Sequence, residues 1–265
     1  MKITIEKIVF VWTLAALGPA ALIGCQPGPE DIGRMEAMEK VLREAGIDQI
    51  EKERLGGRTG PWLVTLSDGA VKQRAVFRHV DRRRPNPTPD SYKYDLAAYV
   101  LTKLLGVELI PPVVEREIEG RKGSLQVYLE KCIREKDRKR KKLKPPDSKA
   151  FSNAIQGIRV LENLTYDECQ DADDLYVHLE DWRVCRVDFS EAFAPVPELL
   201  PGCDLTVCSR KLYEGLLKLD EEALRSKLSL YLNQEEIGAL LVRQGLIIEK
   251  VKILIKDVGE DAVLF

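Results

Sequence analysis

Histidine is nearly absent from this chain, whose 265 residues include only His79 and His178. Both are isolated in the sequence, and no Cys/His spacing indicates a zinc site. Aromatic residues are also few, at 6%. The run at 131–144 carries nine Lys or Arg against two acids but no aromatic side chain on which a base can stack. We therefore expect no nucleic-acid partner, and predict instead a flexible, solvated insertion.

The chain also has no uninterrupted apolar run of membrane-spanning length. Ile8–Gly24 is apolar but short, and Gly18-Pro19 breaks it, which is typical of a signal peptide. The run ends in Leu-Ile-Gly-Cys25, which looks like a bacterial lipobox with lipid on the Cys25 sulfur. An ordinary signal peptide or an uncleaved anchor is the alternative. The lipobox predicts a cell-envelope protein that is anchored to the membrane on the periplasmic or surface side, and Gln26 slightly favours the outer membrane.

Six cysteines in this length do not indicate a disulfide scaffold. Without Cys25, an odd number remains. Cys203 and Cys208 are close enough in sequence to bridge across the loop at 204–207, which an oxidising compartment permits. The alternative is that both are free and partly buried.

The hydrophobic and charged fractions, 45% and 32%, predict one soluble domain with a substantial core. Strands are predicted at Trp62–Leu66 and Val71–Val80, then a helix capped by Asp90 or Ser91. A second hairpin follows at 111–129. Helices are predicted near 33–46, 149–165, 208–218, 220–229, 233–243 and 247–257. This order predicts an α+β fold with two lobes: a signal peptide at 1–24, a tether and helix at 25–53, an N-lobe at 54–130, a basic linker at 131–147 and a C-lobe at 148–265.

The loop at 166–174 holds five carboxylates, and a predicted hairpin at 175–187 then leads to Asp188. Such a concentration of like charge favours exposure or a neutralising cation. Carboxylates placed in this way hold magnesium in many phosphoryl-transfer sites. A merely solvated connection is the alternative for the loop.

Four segments together resemble the protein-kinase-like superfamily, closest to the atypical branch of secreted Golgi casein kinases, the bacterial persistence-toxin kinase and phosphatidylinositol kinases. They are the strand at 74–78, the helix start at 91–99, the acidic loop at 166–174, and 181–189. The resemblance implies a two-lobed kinase-like fold that uses ATP with Mg²⁺ or Mn²⁺.

Mapped onto that family, the chain departs at most of its chemical positions. Arg78 replaces the phosphate-binding Lys and Asp95 replaces its Glu partner, although a salt bridge can survive. Cys169 falls on the catalytic Asp, and Asp174 on a metal-binding Asn. Only Asp188, the metal Asp, is the usual residue.

A thiol cannot replace the general base, whose loss typically costs about 10²–10⁴-fold in rate. A shift of register would place Asp167, Glu168 or Asp171 in that role. We therefore expect a membrane-anchored, catalytically impaired kinase-like domain that binds a nucleotide, a divalent metal or a protein partner between its lobes. Asp174 and Asp188 would hold the metal, and Arg78 with Asp95 the anionic group. An active atypical phosphotransferase and a non-catalytic envelope scaffold are the alternatives.

Overall fold

The computed structural model describes residues 29–69, 72–86, 88–169 and 172–265. The N-terminal apolar run and Cys25 lie outside these residues, so the signal peptide and the lipid attachment stay predictions. Among the described residues, no helix combines the length and apolar character needed to cross a membrane.

The N-lobe is built on an antiparallel sheet of five strands. The strands of this lobe are β1 (Gly46–Glu51), β2 (Trp62–Ser67), β3 (Lys72–Arg78), β4 (Asp81–Arg82), β5 (Asp90–Ser91), β6 (Val113–Ile118) and β7 (Arg121–Val127). The sheet order is β1-β2-β3-β7-β6, and β4 pairs separately with β5. Alternate residues of β2 enter one core, where Val64 and Leu66 pack with Phe77. Both predicted hairpins are therefore confirmed.

Strand β1 was not predicted from the sequence. It pairs antiparallel with β2, with a register shift between Ile47 and Gln49. Most of its residues are exposed, so it lacks the alternation of apolar and polar residues that marks a half-buried strand. The preceding helix α1 (Pro29–Glu44) packs on β6 and β7, and its Leu42 is fully buried in the sheet core.

Helix α2 (Tyr92–Leu105) is the predicted crossing helix of the N-lobe. The Ser91 side chain caps it by accepting a hydrogen bond from the Lys93 backbone N–H, and Gly106 ends it in the left-handed conformation. The helix packs against β6 and β7 on one side and against C-lobe helices on the other. Its buried side chains belong to the larger core, so α2 joins the two lobes.

The C-lobe is mostly helical, as predicted. Its helices are α4 (Ser148–Thr165), α5 (Arg210–Lys218), α6 (Glu221–Leu228), α7 (Gln234–Val258) and α8 (Glu260–Val263). The two helices predicted at 233–243 and 247–257 are one, α7, which begins with a capping box of Asn233 and Glu236. It packs against α4, α5 and α6. The two-lobed α+β architecture is thus confirmed.

The prediction of a flexible basic insertion is wrong for its first half. Residues 132–134 form β8 (Cys132–Arg134) and residues 135–140 form α3 (Glu135–Arg140). Strand β8 pairs with β9 (Leu175–His178), which pairs with β10 (Val184–Arg186). The predicted hairpin is therefore part of a three-stranded sheet. Ile133 is the buried residue of β8, and buried Glu135 pairs with Arg138 of the basic run.

A bridge between Cys203 and Cys208 is also wrong. Cys203 pairs with Cys169 in a disulfide whose Cα atoms are 5.7 Å apart, and Cys208 is buried with a free thiol. The loop of Cys203 is drawn towards the end of α4 by Asn163, which donates to the Cys203 carbonyl and accepts from the Leu200 backbone N–H. The sequence did not indicate this disulfide, because its two cysteines are 34 residues apart and meet only in the folded chain.

Candidate active site

The predicted ion pair between Arg78 and Asp95 forms at the junction of sheet and helix. Arg78 ends β3 and Asp95 lies in the first turn of α2, with Nη1 and Oδ2 3.9 Å apart. Their side chains are 12% and 2% exposed, so this is not a surface pair. Burial alone would lower the pKa of Arg78, but the carboxylates of Asp188 and Asp95 outweigh it and the pKa is raised. Arg78 is therefore a permanent cation inside the site.

Asp95 also holds the segment that follows Asp188. One carboxylate oxygen accepts a hydrogen bond from the Phe189 backbone N–H at 2.8 Å, and the other accepts from the Ser124 hydroxyl at 3.0 Å. Burial raises the pKa of Asp95 despite the opposing effect of Arg78. Three elements, α2, β7 and the 188–190 segment, thus meet on one carboxylate.

Asp188 points into the same site from the C-lobe. Its Oδ2 lies 3.4 Å from Nη2 of Arg78, and its side chain remains 35% exposed. Burial would raise its pKa, but Arg78 and a hydrogen bond from the Ser190 hydroxyl outweigh that effect and the pKa is lowered. The backbone of Asp188 has φ of 60°, a left-handed conformation that costs energy for a residue other than glycine and that clusters at functional sites.

Asp174 lies beside Asp188 but faces a different cation. The Val187 backbone N–H donates to the Asp174 carbonyl at 3.0 Å, which places the two segments side by side. The Asp174 carboxylate, 32% exposed, lies 3.3 Å from Nη1 of Arg186. The fold thus brings all four predicted binding residues, Arg78, Asp95, Asp174 and Asp188, to one place between the lobes.

Arg186, a buried cation beside the candidate site, was not singled out from the sequence. It is 2% exposed and also pairs with Asp167 at 2.9 Å and, more loosely, with Glu162 at 3.6 Å. Burial would lower its pKa, but Asp167 and Asp174 outweigh that effect. One signal was available in the sequence: in β10 the alternation that buries Val184 also buries position 186, and a charge on the inward face of a strand needs partners.

Of the three predicted replacements for the catalytic base, Glu168 is an exposed residue of the acidic loop, and its role stays a prediction. Asp167 is buried, 5% exposed, and engaged with Arg186. Burial raises its pKa to about 7, a favourable value for a base, but its carboxylate is enclosed rather than presented to a substrate. Asp171 lies outside the described residues, so its role stays a prediction.

Cys169, which maps to the catalytic Asp, has no titratable thiol because it is bonded to Cys203. The two sulfur atoms and a Glu162 carboxylate oxygen lie within 4.8 Å of one another, a spacing that can suit a metal. Metal binding by cysteine requires thiolates. While the disulfide is intact, this group is not a metal site.

The basic loop between β3 and α2 clamps the lobes together. Arg84 donates two hydrogen bonds, both of 2.7 Å, to the backbone carbonyls of Ala192 and Glu191. Arg58 pairs with the Glu191 carboxylate. Arg82 contacts buried Asp90. Arg84 and Arg58 therefore hold the segment after Asp188 against the N-lobe, whereas Arg82 pairs within the N-lobe.

Comparison with solved structures gives the same fold. No protein-family model matches the sequence, and no curated protein matches it. A structure of a hydra Fam20 protein, determined with sugar, superimposes with a TM-score of 0.65 over 92% of this chain and 96% of that one, at 15% identity. The chain has a kinase-like fold. At this identity the likeness shows the fold alone, and it confirms the predicted two-lobed kinase-like fold. The Helicobacter pylori proinflammatory kinase CtkA aligns more loosely, with a TM-score of 0.48 and 9% identity over 82% of this chain and 98% of that one.

The side chains fit the ligands of such a fold in part. Arg78 offers a fixed cation to a phosphate group, and Asp188 offers a carboxylate that is one-third exposed, which suits a divalent cation. Asp174 also offers an oxygen, but a guanidinium is already in contact with it. The donor set therefore suits one cation beside Asp188 better than two.

Proposed function

We propose that this protein is a membrane-anchored, extracytoplasmic kinase-like domain that binds an anionic ligand of the nucleotide class between its lobes but does not transfer a phosphoryl group. The observation that carries the proposal is the disulfide at Cys169, the position that the resemblance assigns to the catalytic base. A disulfide has no proton acceptor comparable to a carboxylate. The enclosed carboxylate of Asp167 does not compensate for that loss.

The binding half of the proposal rests on Arg78 and Asp188. A cation that is 12% exposed in contact with a carboxylate that is 35% exposed resembles a site for a phosphate group and its divalent counter-ion. Mg²⁺ or Mn²⁺ with ATP or ADP is the combination to test first. The metal ligands Asp174 and Asp188 and the nucleotide ligands Arg78 and Asp95 stay predictions until that test.

The location rests on two features. Lipid on Cys25 would attach the chain to a membrane in the cell envelope, and the Cys169–Cys203 disulfide is of the kind that forms in oxidising compartments. Both agree with a domain on the periplasmic or surface side. The experimental signature is tritiated-palmitate incorporation that is lost in Cys25→Ala.

Thermal denaturation of the full chain with ATP, ADP, Mg²⁺, Mn²⁺ and Ca²⁺ tests the binding. A ligand at 100 times its dissociation constant should raise the unfolding free energy by about 2.7 kcal/mol. We expect a nucleotide shift that Arg78→Gln removes. Arg74→Gln is the matched control, because Arg74 lies on the same strand but pairs with exposed Glu130. No shift with any of these ligands would favour the scaffold alternative.

A further inference from the structure

Arg186 contacts Asp174, the side chain at which the resemblance implies a second divalent cation. Protein kinases hold two Mg²⁺ ions with an aspartate of the type of Asp188 and an asparagine of the catalytic loop, the position of Asp174 here. In this chain the Asp174 carboxylate is 3.3 Å from a buried guanidinium. That guanidinium also contacts Asp167 and Glu162.

Arg186 is surrounded by carboxylates, as a bound metal ion would be. Three acidic side chains, one from α4 and two from opposite ends of the acidic loop, converge on one group that is 2% exposed. Without a cation, three carboxylates at this depth would repel one another strongly. Arg186 further donates to the Val187 carbonyl at 3.0 Å, and its guanidinium carbon lies 5.6 Å from the Phe189 ring centre. The strand, rather than an ion from solution, therefore supplies the positive charge.

We propose that Arg186 is a built-in cation that takes the place of the divalent ion at Asp174, so that the cleft accepts at most one divalent cation, beside Asp188. The inference deepens the proposed function and rests on it for the identity of the ligand. The binding of an anionic ligand here then depends on the fixed charges of Arg78 and Arg186 and on one divalent cation rather than two.

The test uses the full chain without any nucleotide, so it does not depend on the proposed ligand. Melting temperature is measured against Mg²⁺, Mn²⁺ and Ca²⁺ at constant ionic strength for the wild type, Arg186→Met and Arg243→Met. We expect Arg186→Met to melt lower and to recover at least half of the loss with a divalent cation, at an apparent affinity at least tenfold tighter than in the wild type.

Arg243→Met is the matched control. Arg243 is also fully buried in the C-lobe, but its guanidinium donates to the backbone carbonyls of Leu164, Ala194 and Val196. Its loss should lower the melting temperature with no rescue by divalent ions. Equal behaviour of the two variants would overturn the proposal.

If Arg186→Met does not fold, Asp174→Asn decides the question, because that side chain is one-third exposed. We expect it to respond to divalent ions as the wild type does, whereas Asp188→Asn loses any response. A wild-type response that disappears in Asp174→Asn would overturn the inference. Failure of the nucleotide shift in the earlier experiment would remove the proposed ligand and leave this result intact.

Discussion

At the scale of single residues, the site is organised by two buried arginines and the acids around them. Arg78 was visible from the sequence because it falls on the position of a phosphate-binding lysine. Its contact with Asp188 was not, because it depends on how the lobes meet. Arg186 was missed because it stands one residue before the conspicuous Val187-Asp188-Phe189 and pairs with residues as far back as Glu162.

Removal of the Asp95 carboxylate should lower the free energy of unfolding much more than removal of the Glu130 carboxylate, which pairs with Arg74 of the same strand. Asp95→Asn leaves Arg78 without one of its buried partners, and breaking a buried pair costs about 3–5 kcal/mol. The matched change is Glu130→Gln, whose partner Arg74 is 40% exposed and whose pair should contribute less than about 1 kcal/mol. The free energy of unfolding in urea measures both, and equal losses would contradict the buried position of Asp95.

Asp167 should make the protein more stable in mild acid than at neutral pH. Burial raises its folded pKa to about 7 from a usual value of 3.8, so the folded chain holds this proton more tightly than the unfolded chain does. The resulting stability is complete below the unfolded pKa and is lost as the pH rises through the folded pKa. We expect the melting temperature to fall from about pH 5 to about pH 7.5.

Asp167→Asn should flatten that fall, since an amide does not titrate. Asp173→Asn, a change in the same loop at a side chain that is 48% exposed, should not. If the two variants have the same pH profile, Asp167 is not the group responsible.

At the scale of elements, local patterns predicted most of the structure. The cap of α2 at Ser91, the hairpin of β2 and β3 and the amphipathic C-lobe helices all follow from short-range signals in the sequence. Strands β1 and β8 could not be predicted in this way. Each is short and largely polar, and each forms by pairing with a neighbouring strand. The disulfide is likewise a product of tertiary proximity.

The Cys169–Cys203 disulfide should stabilise the segment that contains the site. It joins residues 34 apart, and closing a loop of that size contributes about 3–4 kcal/mol in the chain-entropy account. We expect reduction, or the double change of Cys169 and Cys203 to Ala, to lower the free energy of unfolding by that amount. Cys132→Ala is the control, because Cys132 is a half-buried free thiol.

Peptide mapping under non-reducing conditions checks the pairing directly. It should yield a fragment that joins Cys169 to Cys203. A fragment joining Cys203 to Cys208, or stability that does not respond to reductant, would contradict this account.

Helix α1 should be a structural part of the N-lobe. Leu42 is fully buried against Val64 and Phe77, so Leu42→Ala should cost about 2–5 kcal/mol. Ile47→Ala, at a side chain on β1 that is 40% exposed, should cost much less. Denaturant unfolding compares them, and a neutral Leu42→Ala would show that α1 does not contribute to the core.

At the scale of the whole molecule, the chain has the fold of a kinase-like domain, and we propose that its chemistry differs. The link between Arg78 and Asp95, the hydrogen bond from Phe189 and the position of Asp188 are those of an assembled cleft. Cys169, the position that the resemblance assigns to the base, forms a disulfide, and Asp174, the position that it assigns to a second metal ligand, faces Arg186. Sequence resemblance indicated the frame and the altered positions, whereas the disulfide of Cys169 and the contact between Asp174 and Arg186 came only from the fold.

Phosphate transfer by the purified full chain tests the central claim most directly. The chain is incubated with radiolabelled ATP and Mg²⁺ or Mn²⁺, with casein or with itself as acceptor, beside an Asp188→Asn variant. The account predicts no transfer above the level of the variant under any of these conditions. Transfer by the wild type that disappears in Asp188→Asn would contradict it, and would show that another base, such as Asp171, acts in this cleft.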